Sequence, residues 1–175
     1  MAAAEANTGA ADSAPYTDRV SKPALTDAIQ DYLKEIYKLG VDGEAVSVTA
    51  LARRQGVSAA SASAMVKKLA AVELVEHAPY QRIRLTAAGE RVAVEVIRHH
   101  RLIELYLAET LGVHVDEVHN EADKLEHVIS EELEARIDRA LGFPTHDPHG
   151  DPIPNADLEW PPPPVAAPRT GARKR

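Results

Sequence analysis

The stretch SVTALARRQGVSAASASAMVKKLAAV, residues 47–72, decides the fold. Ser47 is placed to cap a short helix from about Val48 to Gln55, because its hydroxyl satisfies a first-turn amide. Gly56 then supplies a turn, and Ser58 caps a second helix that continues to about Val72. Helix, tight turn and helix is the order of a helix-turn-helix. Its second helix opens with Ser58, Ala59, Ala60, Ser61, Ala62 and Ser63. Short side chains there let a recognition helix approach base edges; hydroxyls bond bases or phosphates, and methyls touch thymine. Ser58, Ala60, Ser61 and Ser63 are therefore candidate DNA contacts, with Lys67 and Lys68 one to two turns on as candidate phosphate contacts. An alanine and serine run also makes an ordinary helix surface, so the flanking sequence has to decide.

Downstream, Leu74–Glu76 and Arg82–Thr86 read as two short strands around residues 77–81, a hairpin that forms the wing. Tyr80, Gln81, Arg82 and Arg84 are placed to meet the DNA backbone. Upstream, from Pro23, Leu25, Ile29, Leu33, Ile36 and Leu39 recur at helical spacing until Gly40 and Gly43 stop the run. The expectation is a mainly α chain with a winged helix-turn-helix domain over residues 22–86.

Residues 1–21 are rich in small and polar types and read as a disordered arm. Thr86 can cap a long helix ending at Leu111 with Gly112 beyond it, and one further helix is expected from Val115 or Asn120 to Leu141. These make a helical dimerisation domain over residues 87–142. The Pro-rich, basic-ended segment 143–175 is expected to be extended or disordered, without a third packed domain.

Charge divides along the same lines. The net charge of -7 hides 11 basic and 9 acidic residues over 22–98, against 4 basic and 11 acidic over 99–142. A mildly basic reading half can meet phosphate while the acidic half faces elsewhere. There are no cysteines, which excludes disulfides, thiolate metal sites and cysteine nucleophiles. No apolar run reaches the roughly 18 residues of a membrane span, and the start lacks the pattern of a secretory signal. A cytoplasmic protein without membrane contact is expected.

In the acidic half, His100 and Glu104 share a helix face at i, i+4, as do His119 and Asp123. Asp123, Glu126 and His127 sit at i, i+3 and i+4, a spacing that lets imidazole and carboxylate groups converge on one ion. His77, His99, His114, His146 and His149 carry no such pattern, and Glu109, Glu117 and residues 131–134 read as solvating charge.

An ordered set of motifs spans about residues 22–155: Asp31 to Tyr37, the helix-turn-helix, Leu85 to Gly89, His99 to Leu102, Val118 to Ala122, Leu125 to Val128 and Gly150 to Pro154. Together they resemble the DtxR/MntR family of iron- and manganese-dependent repressors. The resemblance implies a primary metal site of Asp31, Asp123, Glu126 and His127, and an ancillary or paired site of His100, Glu104 and His119. Asp31 enters on resemblance alone, since it lies off the apolar stripe of its helix. The iron-type regulators have Met and Cys where this chain has Asp31 and Asp123; oxygen ligands favour Mn2+, with Fe2+ as the alternative corepressor. The manganese-type regulators have Glu where this chain has Lys34. The SH3-like domain of the iron regulators, and the ligands it donates, are not expected here.

The implied activity is a metal-activated repressor acting as a homodimer on a palindromic operator in double-stranded DNA, and not an enzyme. Metal joining the first helix to the far helices holds two reading heads at operator spacing; without it, repelling carboxylates free the heads. Three other classes fit fewer residues: a MarR-like regulator of an organic ligand, a metallohydrolase, and a purely structural DNA-binding protein.

Overall fold

Ser47, Ser58 and Thr86 each accept a first-turn amide at 3.1 Å, so three helices start where side-chain oxygens can satisfy free backbone donors. The structure is a computed structural model that describes residues 25–43, 46–78 and 82–163. Its elements run α1 (Asp27–Val41), α2 (Val48–Arg54), α3 (Ala59–Ala71), β1 (Val75–Glu76), β2 (Arg84–Leu85), α4 (Ala87–Leu111), α5 (Val115–Leu125) and α6 (Glu131–Ala140). The chain is mainly α, a helix-turn-helix with a small wing followed by a helical unit. The arm expected over residues 1–21, the wing residues Tyr80 and Gln81, and the chain end lie outside the described residues.

The apolar stripe of α1 buries Ile29, Tyr32, Leu33, Ile36 and Leu39 against Leu51, Val66 and Leu69 of the helix-turn-helix. Gly56 has φ 64°, the left-handed conformation that the turn between α2 and α3 requires. In the wing, β1 and β2 are antiparallel, with Val75 opposite Leu85 and Glu76 opposite Arg84. Backbone Ile83 donates to the Val46 carbonyl at 3.1 Å and ties the wing to the chain ahead of α2. Val92 and Ala93 of α4 complete this core, so α4 grows directly out of the DNA-reading unit.

Farther along, α4 carries two more apolar faces. One packs Ile103 and Leu107 on Val118 and Ala122 of α5; the other packs Leu102 and Leu105 on Ile137 of α6 and on Ile153. The single helix expected up to Leu141 is two helices. Ser130 accepts the Leu133 amide at 3.2 Å and starts α6, and Glu131, Glu132 and Glu134 in its first turn favour a helix N-terminus there. That break leaves Glu126 and His127 outside helical geometry, free to turn toward α1.

The segment after Gly142 also departs from expectation. Instead of running free, its described part folds back over α4: Ile153 is 2% exposed, and the Pro154 and Pro152 carbonyls accept from Arg98 and Arg101. Trp160 stacks on Tyr37 of α1 with ring centroids 6.0 Å apart. Prolines present carbonyls without competing donors, so a Pro-rich strand docks on arginines without forming regular structure.

Two glycines should respond oppositely to alanine. A Cβ on Gly89 would lie 2.0 Å from the Leu74 carbonyl oxygen, whereas one on Gly40 meets nothing within 4 Å. Gly40→Ala in α1 should stabilise by about 0.5–1 kcal/mol. Gly89→Ala should destabilise by about 1–3 kcal/mol or more, because backbone has to move. Denaturant midpoints of the two variants check this, and a Gly89→Ala midpoint at or above that of the unaltered chain contradicts the packing described.

Candidate metal centre and DNA-reading face

The helix break brings Glu126 and His127 to the junction of α1, α4 and α5. The His127 Nε2 atom lies 3.1 Å from Asp31 Oδ1 and 3.3 Å from Glu126 Oε1, and these three residues form one cluster of converging donors. The other ring nitrogen, Nδ1, lies 2.9 Å from the Gln30 amide oxygen, to which it donates when protonated. Asp31 is half-buried rather than solvated, as the resemblance implied and periodicity did not.

Asp123 groups differently from the expected four-residue site. It lies with His100 and Glu126 in a second cluster, with His100 Nδ1 at 3.4 Å from Asp123 Oδ1 and 2.6 Å from Glu126 Oε2. Between the two clusters sits Lys34, 6% exposed, whose Nζ donates to Glu126 Oε1 at 2.5 Å and to Asp123 Oδ1 at 3.3 Å. The sequence reading noted Lys34 only as a departure and assigned it no place. The signal was available: Lys34 follows Asp31 by three residues, so the two share a face of α1.

The third cluster is the expected trio. His100 Nε2 lies 3.0 Å from Glu104 Oε1, and His119 Nδ1 lies 3.0 Å from the same oxygen. Glu104 and His100 are buried while His119 is exposed, so the group opens to solvent on the α5 side.

Charge states follow from these contacts. Burial pushes the Glu126 carboxyl up, but hydrogen bonds and charge from His100 and Lys34 outweigh it and hold the group below the ordinary range. Glu104 is lowered in the same way, against burial, by His100, His119 and His149. Burial alone would lower His100, yet Glu104 and Glu126 raise it, favouring an imidazolium that donates to both carboxylates. Lys34 is raised likewise, against burial, by Glu126, Asp123 and Asp31. Asp31 runs the other way: burial raises it more than His127 and Lys34 lower it.

Two groups read as solvated are not. His99 Nε2 lies 3.2 Å from Glu134 Oε2, and Glu134 also receives the guanidinium of buried Arg98. Arg98 further donates to Asp138 at 2.7 Å, so this cluster pins α6 to α4.

On the DNA-reading side, α3 buries Ala62, Val66 and Leu69, which turns Ala60, Ser61, Lys67 and Lys68 outward. Ser58 is exposed, but its hydroxyl oxygen is engaged as the cap of α3 and lies 2.9 Å from Ser61 Oγ. Ser63 is half-buried and presents less surface than its neighbours. Arg82 and Arg84 are exposed on the wing.

A family profile described as "Iron dependent repressor, N-terminal DNA binding domain" matches residues 24–83, and one described as "Iron dependent repressor, metal binding and dimerisation domain" matches residues 86–155. The chain belongs to the DtxR/MntR repressor family. The family's second profile runs past Gly142 and takes in the fold-back segment. The iron-dependent repressor IdeR of Mycobacterium tuberculosis is 36% identical over 130 residues, covering 74% of this chain and 56% of IdeR. The diphtheria toxin repressor of Corynebacterium diphtheriae is 34% identical over 133 residues, covering 76% of this chain and 59% of the toxin repressor. A solved manganese-dependent transcriptional repressor in complex with manganese aligns with TM-score 0.71 and 49% identity, over 78% of this chain and 63% of that one. This member of the family thus spans less than two thirds of the length of those relatives.

The ion pairs set a pH window for the metal-free protein. Glu104, Glu126 and Glu134 are lowered from 4.5, so their stabilisation is present above that value and is lost as pH falls through the lowered ones. His99 and His100 are raised from 6.5, so their contribution is full below 6.5 and is lost as pH rises through the raised ones. Melts in chelator should give a highest Tm between about pH 5 and 6.5, falling on both sides. A Tm that stays level from pH 6 to 8.5 would contradict the His99 and His100 pairings.

Proposed function

We propose that this chain is a metal-activated, DNA-binding transcriptional repressor whose activating ion is held by Asp31, Glu126 and His127. The observation that carries the reading is the approach of His127 Nε2 to Asp31 at 3.1 Å. One donor belongs to α1 of the DNA-reading unit and the other to the helix break of the second unit. The donor chemistry fits a divalent cation: two carboxylates and one imidazole converge, and a charged ammonium already sits against the same Glu126 oxygen. Mn2+ is the favoured ion because the donors are mostly carboxylate oxygen, and Fe2+ is the second candidate because imidazole also serves it. The relatives named above include proteins described as manganese-dependent and as iron-dependent.

Bound there, the ion supplies a compact double positive charge that carboxylates from two units can share. The residues do the rest. Lys34 gives up Glu126 Oε1 and keeps Asp123, Asp31 turns from His127 to the ion, and His127 stays oriented by Gln30. This changes the apo state expected from the sequence. Bare repulsion among carboxylates does not describe it, since Lys34 and His100 already neutralise them. The switch is an exchange of one cation for another, and its strength is the difference in affinity between the two states.

The reader is α3, with Ala60, Ser61 and Ser63 toward bases, Ser58, Lys67 and Lys68 toward phosphate, and Arg82 from the wing. Two copies related by a two-fold axis match a palindromic operator, and the family's second domain is described as a dimerisation domain. Val128, Leu111 and Phe143 are exposed apolar side chains of the helical unit, available to such an interface. Among the described residues no helix is long and apolar enough to cross a membrane, and we place the protein in the cytoplasm with its DNA.

Operator duplexes selected from random sequence in Mn2+ provide the test. His127→Ala and Asp31→Ala should each weaken Mn2+-dependent binding by more than the roughly 10–100-fold typical of outer-shell partners. Lys34→Gln, which removes the competing charge, should tighten Mn2+ binding measured directly. Selection of the same duplexes in chelator, with unchanged affinity for all three variants, would remove metal control and favour an organic ligand.

A further inference from the structure

Five residues after α6 form a turn that the metal reading has not used. Asp147 Oδ1 accepts the backbone amides of His149 at 2.8 Å and Asp151 at 2.9 Å, and the Asp147 amide donates to the Asp151 carbonyl at 2.9 Å. Gly150 adopts φ 88°, which closes the turn. Arg101 of α4 holds it from below, with Nε 3.7 Å from Asp147 Oδ2, Nη2 3.7 Å from Asp151 Oδ2, and Nη1 donating to the Pro152 carbonyl. The result is a fixed tip at His149. Its Nε2 atom lies 3.8 Å from Glu104 Oε1, the same oxygen that His100 and His119 approach at 3.0 Å.

We propose that His149 is the fourth protein ligand of a divalent-cation site whose other donors are His100, Glu104 and His119. The proposal rests on the metal-sensing reading above but concerns a separate locus. Three imidazoles and one carboxylate form a softer set than Asp31, Glu126 and His127, and such a set suits Zn2+, Co2+ or Fe2+ better than Mn2+. With metal–nitrogen bonds near 2.0–2.1 Å, tetrahedral ligand atoms stand about 3.4 Å apart. A separation of 3.8 Å therefore needs a closure of only a few tenths of an ångström. The side chains of His149 and His119 are 39% and 55% exposed, which gives an ion entry from solvent. Three donors leave an open coordination position; a fourth closes the site, as in structural rather than catalytic centres.

Closure has a mechanical consequence. The turn is continuous with Trp160, which stacks on Tyr37 of α1 and lies 5.5 Å beneath the Arg101 guanidinium. An ion holding His149 to α4 and α5 therefore fastens a strap that reaches the DNA-reading unit from the opposite end to Asp31. Two sites of different softness then act on one helix.

Co2+ titration in a His127→Ala background isolates this locus, because cobalt's visible ligand-field bands are far stronger in four-coordinate than in six-coordinate geometry. The His127→Ala protein should bind one Co2+ with intense four-coordinate bands. Adding His149→Ala should weaken binding at least about 10-fold and convert the spectrum to weak, higher-coordinate bands, with the chelator Tm unchanged because His149 fills no core position. Equal affinity and spectrum with and without His149 would overturn the proposal. Binding of Co2+ by the unaltered chain but not by His127→Ala would also overturn it, leaving the Asp31, Glu126 and His127 reading intact. No Co2+ binding by the unaltered chain would sink both.

Discussion

A carboxylate taken out of water must find cationic partners or lose its charge, and Glu126 is 1% exposed. It finds partners on two helices. Lys34 comes from α1 at 2.5 Å and His100 from α4 at 2.6 Å, while its chain neighbour His127 turns toward Asp31. One side chain thus joins the DNA-reading unit to the helical unit. The break between α5 and α6 exists at the same point, so the backbone geometry and the electrostatics are one arrangement. Removing a partner from such a group costs more than the pair contributes, because the remaining charge stays buried.

Lys34 changes how the apo protein should be pictured. Like charges packed without compensation would push α1 away; an ammonium among three carboxylates holds it near. The metal-free state is therefore closed but cation-poor, and a divalent ion has to displace a tethered monovalent one. Shifting a two-state equilibrium from 1:99 to 99:1 needs about 5.5 kcal/mol of differential affinity. Displacement of Lys34 from Glu126 subtracts from what the ion supplies, which tunes the concentration at which the switch turns.

Much of the fold was legible from local chemistry. Ser47, Ser58 and Thr86 marked helix starts within a residue, and Gly112 marked an end, because caps depend on a few neighbouring atoms. The pairs His100–Glu104 and His119–Asp123 were legible for the same reason, since helical spacing puts them on one face. What periodicity cannot report is which faces meet. It left Asp31 as a solvated charge, gave Lys34 no partner and treated Glu134 as solvent-facing, although Arg98 and His99 bury it. The same limit hid the fold-back segment. A proline-rich stretch carries no apolar period, and its docking depends on Arg98 and Arg101, which lie more than 50 residues earlier. Resemblance supplied Asp31 because a family pattern stores which faces meet.

The bridge between units is open to one direct measurement, amide hydrogen exchange across Asp27–Val41 and across residues 115–128, with and without Mn2+. Both segments should slow together in the unaltered chain, and only the second should slow in Asp31→Ala. Slowing confined to residues 115–128 in the unaltered chain, or an Asp31→Ala protein that responds identically, would show that no ion ties α1 to the helix break.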